Sequence, residues 1–453
     1  MLNVEVLDIS LGGRPAGKLF RFANGTTSPI VRFVADDDFA ADPRQATLSA
    51  SMRARDPAQQ AALWKDLGAP IFNGPSGCLP AFFQNMLPEG VFRTQLAQER
   101  GCREDDHFAL YAACGLDLPG AVKALPAQLS RQALARLVTQ ENDALEMSVT
   151  ADPLPLGVSI SGMQPKVGVI EQGGRYVARK RDGVTRIIGK LPQAERPFLP
   201  EVEDLSLSLA QAAGADVAEH RLVPLQKLDF HHGYTLGGSG NFLAVTRFDR
   251  AGAKRIHCED FAQALGVEPR NKYTGASYAA MAGLMLRYPE SLGSGAVHEL
   301  LRLITINELM GNLDAHLKNF CLLYPDGPHA GAVQGLRYRG MVCLPHRPGQ
   351  CAGALPRRRP GPAQGLQDTG AGRIARVLQP RRHCRAALRP GDSGHRCPGA
   401  GALARHDRRQ HAAGLAEGTP APALPGPSVC AEPAKEVRQI RAQRCPPLNS
   451  LTC

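Results

Sequence analysis

The chain has 453 residues, 43% of them apolar and 5% aromatic, and a formal net charge of +11. Residues 341–453 hold 17 Arg and one Lys against six acidic residues, a net +12, so residues 1–340 carry −1. The basic balance is therefore no ground for nucleic-acid binding by the folded part. All Phe, Tyr and Trp lie within residues 1–340, a length sufficient for one large or two medium domains.

The amino-terminal 70 residues alternate short apolar runs with turns. Leu2 to Leu7, Lys18 to Phe22 and Ile30 to Val34 have strand period, and the Gly12-Gly13-Arg14-Pro15-Ala16-Gly17 stretch reads as a turn. Residues 81–100 read as helical, and further helices are expected at 105–115 and 130–145, separated by Gly115-Leu116-Asp117-Leu118-Pro119-Gly120. A second unit starts near residue 155. Strands over 166–171 and 175–179 flank Gly173-Gly174, a hairpin signal. Another strand, 186–191, carries Lys190 near its end, an amphipathic helix spans 201–213, and strands follow at 219–225 and 241–246. From 258 to 320 the pattern is helical, closing on a loop and the apolar run Phe320-Cys321-Leu322-Leu323-Tyr324. The fold class is α+β: a β-rich amino-terminal subdomain (1–125), then a strand-rich lobe followed by a helix-rich lobe (150–340), the order of a kinase-like bilobal domain.

Cysteines give no framework. Cys78, Cys102, Cys114, Cys258 and Cys321 show no pairing pattern, and no C-x-x-C occurs. There is no charged-then-apolar leader and no apolar run near 18 residues, which points to a cytoplasmic protein without membrane contact.

The densest chemical signal is Gly311-Asn312-Leu313-Asp314-Ala315-His316-Leu317-Lys318-Asn319-Phe320. Asp314 and Asn319 have the spacing of a phosphoryl-transfer loop, in which the Asp accepts the proton of the attacking hydroxyl and the Asn holds a metal ion on the ATP phosphates. Alone, this spacing is weak. It gains weight from Ser159-Ile160-Ser161-Gly162-Met163-Gln164-Pro165-Lys166, Ile187-Ile188-Gly189-Lys190-Leu191-Pro192, Val245-Thr246-Arg247-Phe248-Asp249-Arg250 and the His257 to Gly266 block upstream, and from Leu87-Pro88-Glu89-Gly90 and the 115–121 block in the first unit.

In that order and spacing, the blocks resemble the HipA family, the serine/threonine kinase toxins of bacterial toxin–antitoxin pairs, over residues 1 to about 340. The resemblance implies a kinase that uses ATP and Mg²⁺. Ser161, Gly162, Gln164 and Lys166 would form the phosphate-covering loop, and Lys190 would reach the nucleotide phosphates. Glu203 would orient Lys190, with Glu201 as a competitor. Thr246, Arg247 and Phe248 would line the adenine site. Asp314 would be the base, Asn319 a nucleotide-site residue and Mg²⁺ ligand, and His316 and Lys318 would lie near the phosphates. Ser159 matches the serine that family members phosphorylate on themselves, with Ser161 as a rival. The implied partners are a DNA-binding HipB-like antitoxin, through which alone DNA would be met, and a protein substrate such as a translation factor or an aminoacyl-tRNA synthetase. An inactive remnant that binds only nucleotide or antitoxin, and a small-molecule phosphotransferase of kinase-like fold, stay open as alternatives.

The carboxy-terminal segment departs from this pattern. The family's second acidic metal ligand follows the loop in a Pro-x-Tyr-Asp context, yet no Asp or Glu occurs from Gly327 to Gln367. Mg²⁺ would then rest on Asn319 alone, a poor site for a cation that prefers carboxylates. Residues 341–453 also hold 15 Pro, 13 Gly and seven Cys. A disordered extension, an Arg-rich arm for acidic partners, and out-of-frame translation of a GC-rich gene from near residue 341 all fit this composition. The coincident loss of the ligand favours the last, and with it an incomplete carboxy-terminal lobe. Without aromatics the segment cannot bury enough apolar surface to offset its ordering entropy. Limited proteolysis should therefore remove it quickly and leave a fragment ending near residue 335; a resistant domain inside 341–453 would contradict this.

Overall fold

The computed structural model describes residues 2–338 apart from 24, 26–27, 43–45, 128, 131, 133–144, 148–149, 156, 161–163, 179–183, 230–231, 239, 253, 290, 313 and 325–335. The segment 341–453, with the readings attached to it, lies outside the described residues.

The expected amino-terminal strands form an antiparallel sheet. Strands β1 (Leu2–Leu11), β2 (Arg14–Ala23), β3 (Ile30–Ala35) and the short β4 (Asn73–Gly74) pair in sequence. Strand β5 (Val122–Pro126) adds to the free edge of β1, and β6 (Leu145–Met147) runs parallel to the start of β1. Alternation along β1 puts Leu7, Ile9 and Leu11 on the face that packs against the helices. There Phe33, Phe72, Phe82, Phe83, Trp64 and Tyr111 make an aromatic core, with Phe33 and Phe83 centroids 5.2 Å apart. The packed helices are α1 (Asp37–Ala41), α2 (Pro57–Lys65), α3 (Ala81–Gln84), α4 (Gly90–Arg100) and α5 (His107–Ala113). The single helix expected over 81–100 is divided, because Pro88 cannot continue a helix begun at 81. The helix expected over 130–145 falls almost wholly outside the described residues, and residues 145–147 are strand.

The second sheet has the order β10-β12-β9-β7-β8-β11, with β7 (Lys166–Gln172), β8 (Arg175–Ala178), β9 (Ile187–Lys190), β10 (His220–Pro224), β11 (Leu228–Asp229) and β12 (Asn241–Thr246). The β7–β8 hairpin turns at the expected Gly173-Gly174. Helix α6 (Leu199–Ala212) lies against β10 and β12 and buries Leu199, Leu207 and Ala210, the last within the core of the following helices. A β13–β14 ribbon (Arg250–Ala251, Lys254–Arg255) leads to β15 (His257–Asp260), α7 (Phe261–Ala264), α8 (Tyr278–Leu286) and α9 (Gly293–Met310). The chain then returns along β16 (Phe320–Tyr324), which lies between β15 and β17 (Leu336–Tyr338). Residues 258–260, within the strand His257–Asp260, are strand where the sequence reads helical. All four side chains are buried and the backbone pairs with β16, so a distant partner overrides the local pattern. The helix begins only at Phe261, where Asp260 and Gln263 form a capping box.

Two buried polar junctions tie the amino-terminal subdomain to the residues after β12. At the first, Asp117 and Asp249 meet Arg247 and Arg250. Arg247 spans Asp249 with two bonds of 2.9 and 2.8 Å and lies 3.2 Å from Asp117, while Arg250 contacts Asp117 and Asp249 at 2.8 Å each. Burial opposes both carboxylate charges, but the two guanidiniums outweigh it and hold Asp117 and Asp249 below the usual carboxylate range. Arg250 and Arg255 donate to the Gly120 carbonyl, each at 3.0 Å. Gly120 has φ +65°, and a Cβ there would lie 2.7 Å from the Cys258 nitrogen, so no larger residue fits. At the second junction Glu259 accepts from Ser49 Oγ at 2.7 Å, from Ala50 N at 2.9 Å and from the Tyr324 hydroxyl. Burial pushes this carboxyl up to about 7 despite those donors.

Removing Asp117 leaves two buried guanidiniums short of a counter-charge. Asp117→Ala should cost about 3–5 kcal/mol of unfolding free energy, read from the urea midpoint at unchanged slope; a loss below about 1 kcal/mol would show that the junction is dispensable.

Candidate active site

The nucleotide-side candidates sit on the second sheet and α6. Strand β9 ends at Lys190, and α6 presents Glu203 toward it from its buried face, with Lys190 Nζ 3.0 Å from Glu203 Oε2. Glu203 is fully buried, and among the described residues no hydrogen bond reaches its carboxylate beyond this ion pair. A buried carboxylate with one cationic partner fixes that partner firmly, since losing it would strand a charge. Glu201, the competitor, instead accepts from Asn241 Nδ2 at 3.2 Å. Lys166 on β7 is the cross-strand partner of Lys190 and is also buried. Gln164 is buried nearby in sequence, its Nε2 3.4 Å from the Leu191 carbonyl and its Oε1 without a hydrogen-bond partner among the described residues. Ser161 and Gly162 lie outside the described residues.

The 311–320 loop begins where α9 ends. Gly311 takes φ +65°, a left-handed cap that turns the chain out of the helix. Asn312 then hooks back, its Nδ2 donating to Asn307 Oδ1 at 2.6 Å, and its Oδ1 accepts the Asp314 N–H at 2.9 Å. Asn319 donates its side-chain amide to the Asp314 carbonyl, which leaves Oδ1 as its oxygen for any further partner. The Asp314 side chain is 14% exposed. Its Oδ1 accepts the Tyr273 hydroxyl at 2.5 Å and lies 3.7 Å from His316 Nε2. Burial holds His316 down to about 4, against the pull of Asp314, so the ring is neutral at pH 7. Tyr273 meets it edge-on at 4.9 Å.

Several expected residues have other occupations. Lys318 is 3% exposed and donates to Glu89 Oε1 at 2.8 Å and to the Asn85 carbonyl at 3.0 Å, both in the amino-terminal subdomain. Arg247, expected at an adenine site, has its guanidinium taken up by Asp117 and Asp249, because a buried guanidinium requires carboxylates. Thr246 closes β12 with its hydroxyl 3.2 Å from Glu219 Oε2, and Phe248 is half-buried in the turn after it. Ser159 is buried, its amide donating to the Asp117 carbonyl at 3.1 Å and its hydroxyl to the Met86 carbonyl, so phosphorylation there requires the segment to leave this position.

Residues 7–125 match the family model of the HipA N-terminal domain, and residues 158–333 match that of the HipA-like C-terminal domain. The sequence is 33% identical to the putative kinase Y4dM of Sinorhizobium fredii over 335 residues, covering 72% of this chain and 75% of that protein. The chain belongs to the HipA family. The serine/threonine-protein kinase toxin HipA of Shewanella oneidensis is 25% identical over 291 residues, 57% of this chain and 64% of that protein. A solved complex of HipA, HipB and operator DNA from Shewanella oneidensis MR-1 matches at 24% identity and a TM-score of 0.49, covering 72% of this chain and 76% of that chain.

Within this HipA-family chain, the sequence singles out the loop but not its supports. Glu89 bridges Lys318 and Lys272, 2.8 Å from each ammonium, and so joins the catalytic loop to the segment that carries Tyr273. Glu89 stands in a block that the resemblance already marks, Leu87-Pro88-Glu89-Gly90, but nothing local names partners 183 and 229 residues away. Tyr273 has no sequence signal. Among the described residues no group of three or more His, Cys, Asp or Glu side chains is placed to hold a metal ion, and no helix is long and apolar enough to cross a membrane.

Burial opposes the Glu89 charge, but Lys318 and Lys272 bring the carboxyl from 4.5 down to about 2. The folded value lies below the unfolded one, so this stabilisation is complete above pH about 4.5 and fades as pH falls toward about 2, a total of roughly 3 kcal/mol. Glu89→Gln should lower stability by about that amount at pH 7 and flatten the acid limb between pH about 4.5 and 2, measured by urea unfolding across pH. An unchanged acid limb would remove Glu89 from this role.

Proposed function

We propose that the chain is a serine/threonine protein kinase of HipA type that transfers the γ-phosphate of ATP to a protein hydroxyl. The ion pair between Lys190 and the buried Glu203 carries the reading, because a lysine held by a helix carboxylate at a strand end is the arrangement kinases require for placing nucleotide phosphates. The names of its relatives, a putative kinase and a serine/threonine-protein kinase toxin, support the same class. Asp314 is the base. Its backbone is fixed from both sides by Asn312 and Asn319, and its Oδ1 already accepts one hydroxyl. Lys190 meets the phosphates, and Gln164 Oε1 and Lys166 stand on the same strand edge.

Mg²⁺ fits the described residues poorly. They offer the Asn319 Oδ1 and the Asp314 carboxylate, and the acidic ligand of the family's Pro-x-Tyr-Asp segment has no counterpart between Gly327 and Gln367. Metal-bound ATP would supply charge neutralisation at the transferred phosphoryl group, and a weakened metal site lowers the rate. The reading therefore includes transfer far below that of a relative with the full ligand set. A cytoplasmic toxin of this kind pairs with a small DNA-binding HipB-like antitoxin, meets DNA through it, and acts on a protein of the translation machinery.

The test is ATP-dependent phosphorylation by the chain, by Asp314→Asn, and by a version in which the Pro-x-Tyr-Asp segment follows residue 340. Asp314→Asn should lower transfer by about 10²–10⁴-fold while leaving ATP affinity within about twofold, since the nucleotide is held by other groups. Restoration of the segment should raise transfer strongly. Equal transfer by Asp314→Asn and its parent would remove Asp314 from the base role, and full transfer without restoration would show that another group completes the metal site.

A further inference from the structure

A tyrosine hydroxyl stands where a substrate hydroxyl has to stand. Tyr273 donates to Asp314 Oδ1 at 2.5 Å, the reach required between a general base and the hydroxyl it deprotonates. The residue is fixed from several sides. Its segment turns sharply after Pro269–Asn271, with Thr274 and Gly275 both donating to the Asn271 carbonyl, and is closed by Ser277 capping α8. The ring packs edge-on against His316, and Lys272 Nζ lies 5.6 Å from its centroid. Tyr273 is nonetheless 37% exposed, so the side chain borders solvent and is not locked into a core.

From this contact we propose that Tyr273 is an intramolecular phosphate acceptor: the chain phosphorylates its own Tyr273 in cis. The inference rests on Asp314 being the base of the proposed kinase. A phenol is as a class far more acidic than an aliphatic hydroxyl, so it is the easier nucleophile to activate. In the step, Asp314 Oδ1 takes the proton from the Tyr273 hydroxyl. The phenolic oxygen forms a bond to the γ-phosphorus of ATP, the bond from that phosphorus to the β,γ-bridging oxygen breaks, and ADP leaves. The product carries roughly −1.5 to −2 charge beside the Asp314 carboxylate. Like charges at that distance repel, so the phosphotyrosine leaves the acceptor position. Phosphorylation thus clears the site for an external hydroxyl.

The experiment uses the full chain, treated with phosphatase, repurified and incubated with ATP and Mg²⁺. Phosphate is located by peptide mass spectrometry with fragment ions that separate Tyr273 from Thr274, and by an anti-phosphotyrosine antibody. Phosphate on Tyr273 is expected, with a fractional rate unchanged over a tenfold dilution of protein. Asp314→Asn should lower it by about 10²-fold or more, and Tyr273→Phe, which removes only the hydroxyl, should abolish the antibody signal. Phosphate on serine or threonine without any on Tyr273 would overturn the inference and leave the kinase reading standing. Incorporation that slows on dilution would overturn the cis step. Absence of phosphate on every residue, in this chain and in the restored version, would overturn the kinase reading and the inference with it.

Discussion

Two carboxylates and two guanidiniums, all out of reach of water, decide how this chain can be assembled. Asp117 belongs to the amino-terminal subdomain and Asp249, Arg247 and Arg250 to the segment after β12. Four charges at such burial cannot be left in part. Either the 115–120 loop docks on the turn after β12 and all four are paired, or each side carries stranded charge. The docking is thus all or none. It also fixes the segment after β12, from which the β13–β14 ribbon and β15 proceed, and β15 is the strand that receives β16 and the end of the catalytic loop.

The amino-terminal subdomain also holds the 311–320 loop in place. Glu89 holds Lys318 of the loop and Lys272 beside Tyr273, while the Asn85 carbonyl takes a second bond from Lys318. A lysine next to an active-site aspartate is ordinarily free to meet phosphate. Here its charge is matched by a carboxylate, so it orients the loop by position. The nucleotide-side pair is built differently. Lys190 and Glu203 lie 13 positions apart on a strand and the helix that packs on it, and need nothing from the amino-terminal subdomain.

That difference explains what was legible in the sequence. Period-two runs give β1 to β3, β7 to β9 and β12, and the 201–213 pattern gives α6, because each rests on one buried face set by local alternation. Lys190 and Glu203 were marked by the family resemblance, and the structure prefers Glu203 to Glu201 by giving Glu201 to Asn241. Strand β15 was not legible, since its partner is β16, some sixty residues on. Arg247 misled for a related reason. Its motif neighbours suggest a nucleotide site, but the direction of its side chain is set by Asp117, 130 residues upstream. Tyr273 sits in a turn of no period, and only the folded chain shows what its hydroxyl meets.

Every described support of Asp314 comes from residues before β16 ends. Asn307 and Asn312 set its backbone, Asn319 holds its carbonyl, Tyr273 its carboxylate, and Tyr278 the neighbouring Ala315 carbonyl at 2.7 Å. Glu89 anchors the loop from outside through Lys318. None of these depends on the segment where the composition changes. In the proposed kinase, placement of the base and neutralisation of the phosphoryl charge are therefore separable. The first is encoded upstream of residue 325, and the second needs a carboxylate that the sequence beyond Gly327 does not supply before Asp368. Under that proposal, a base in contact with a hydroxyl but short of metal charge favours the acceptor that needs least activation and least positioning. An intramolecular phenol meets both conditions, which a diffusing serine does not.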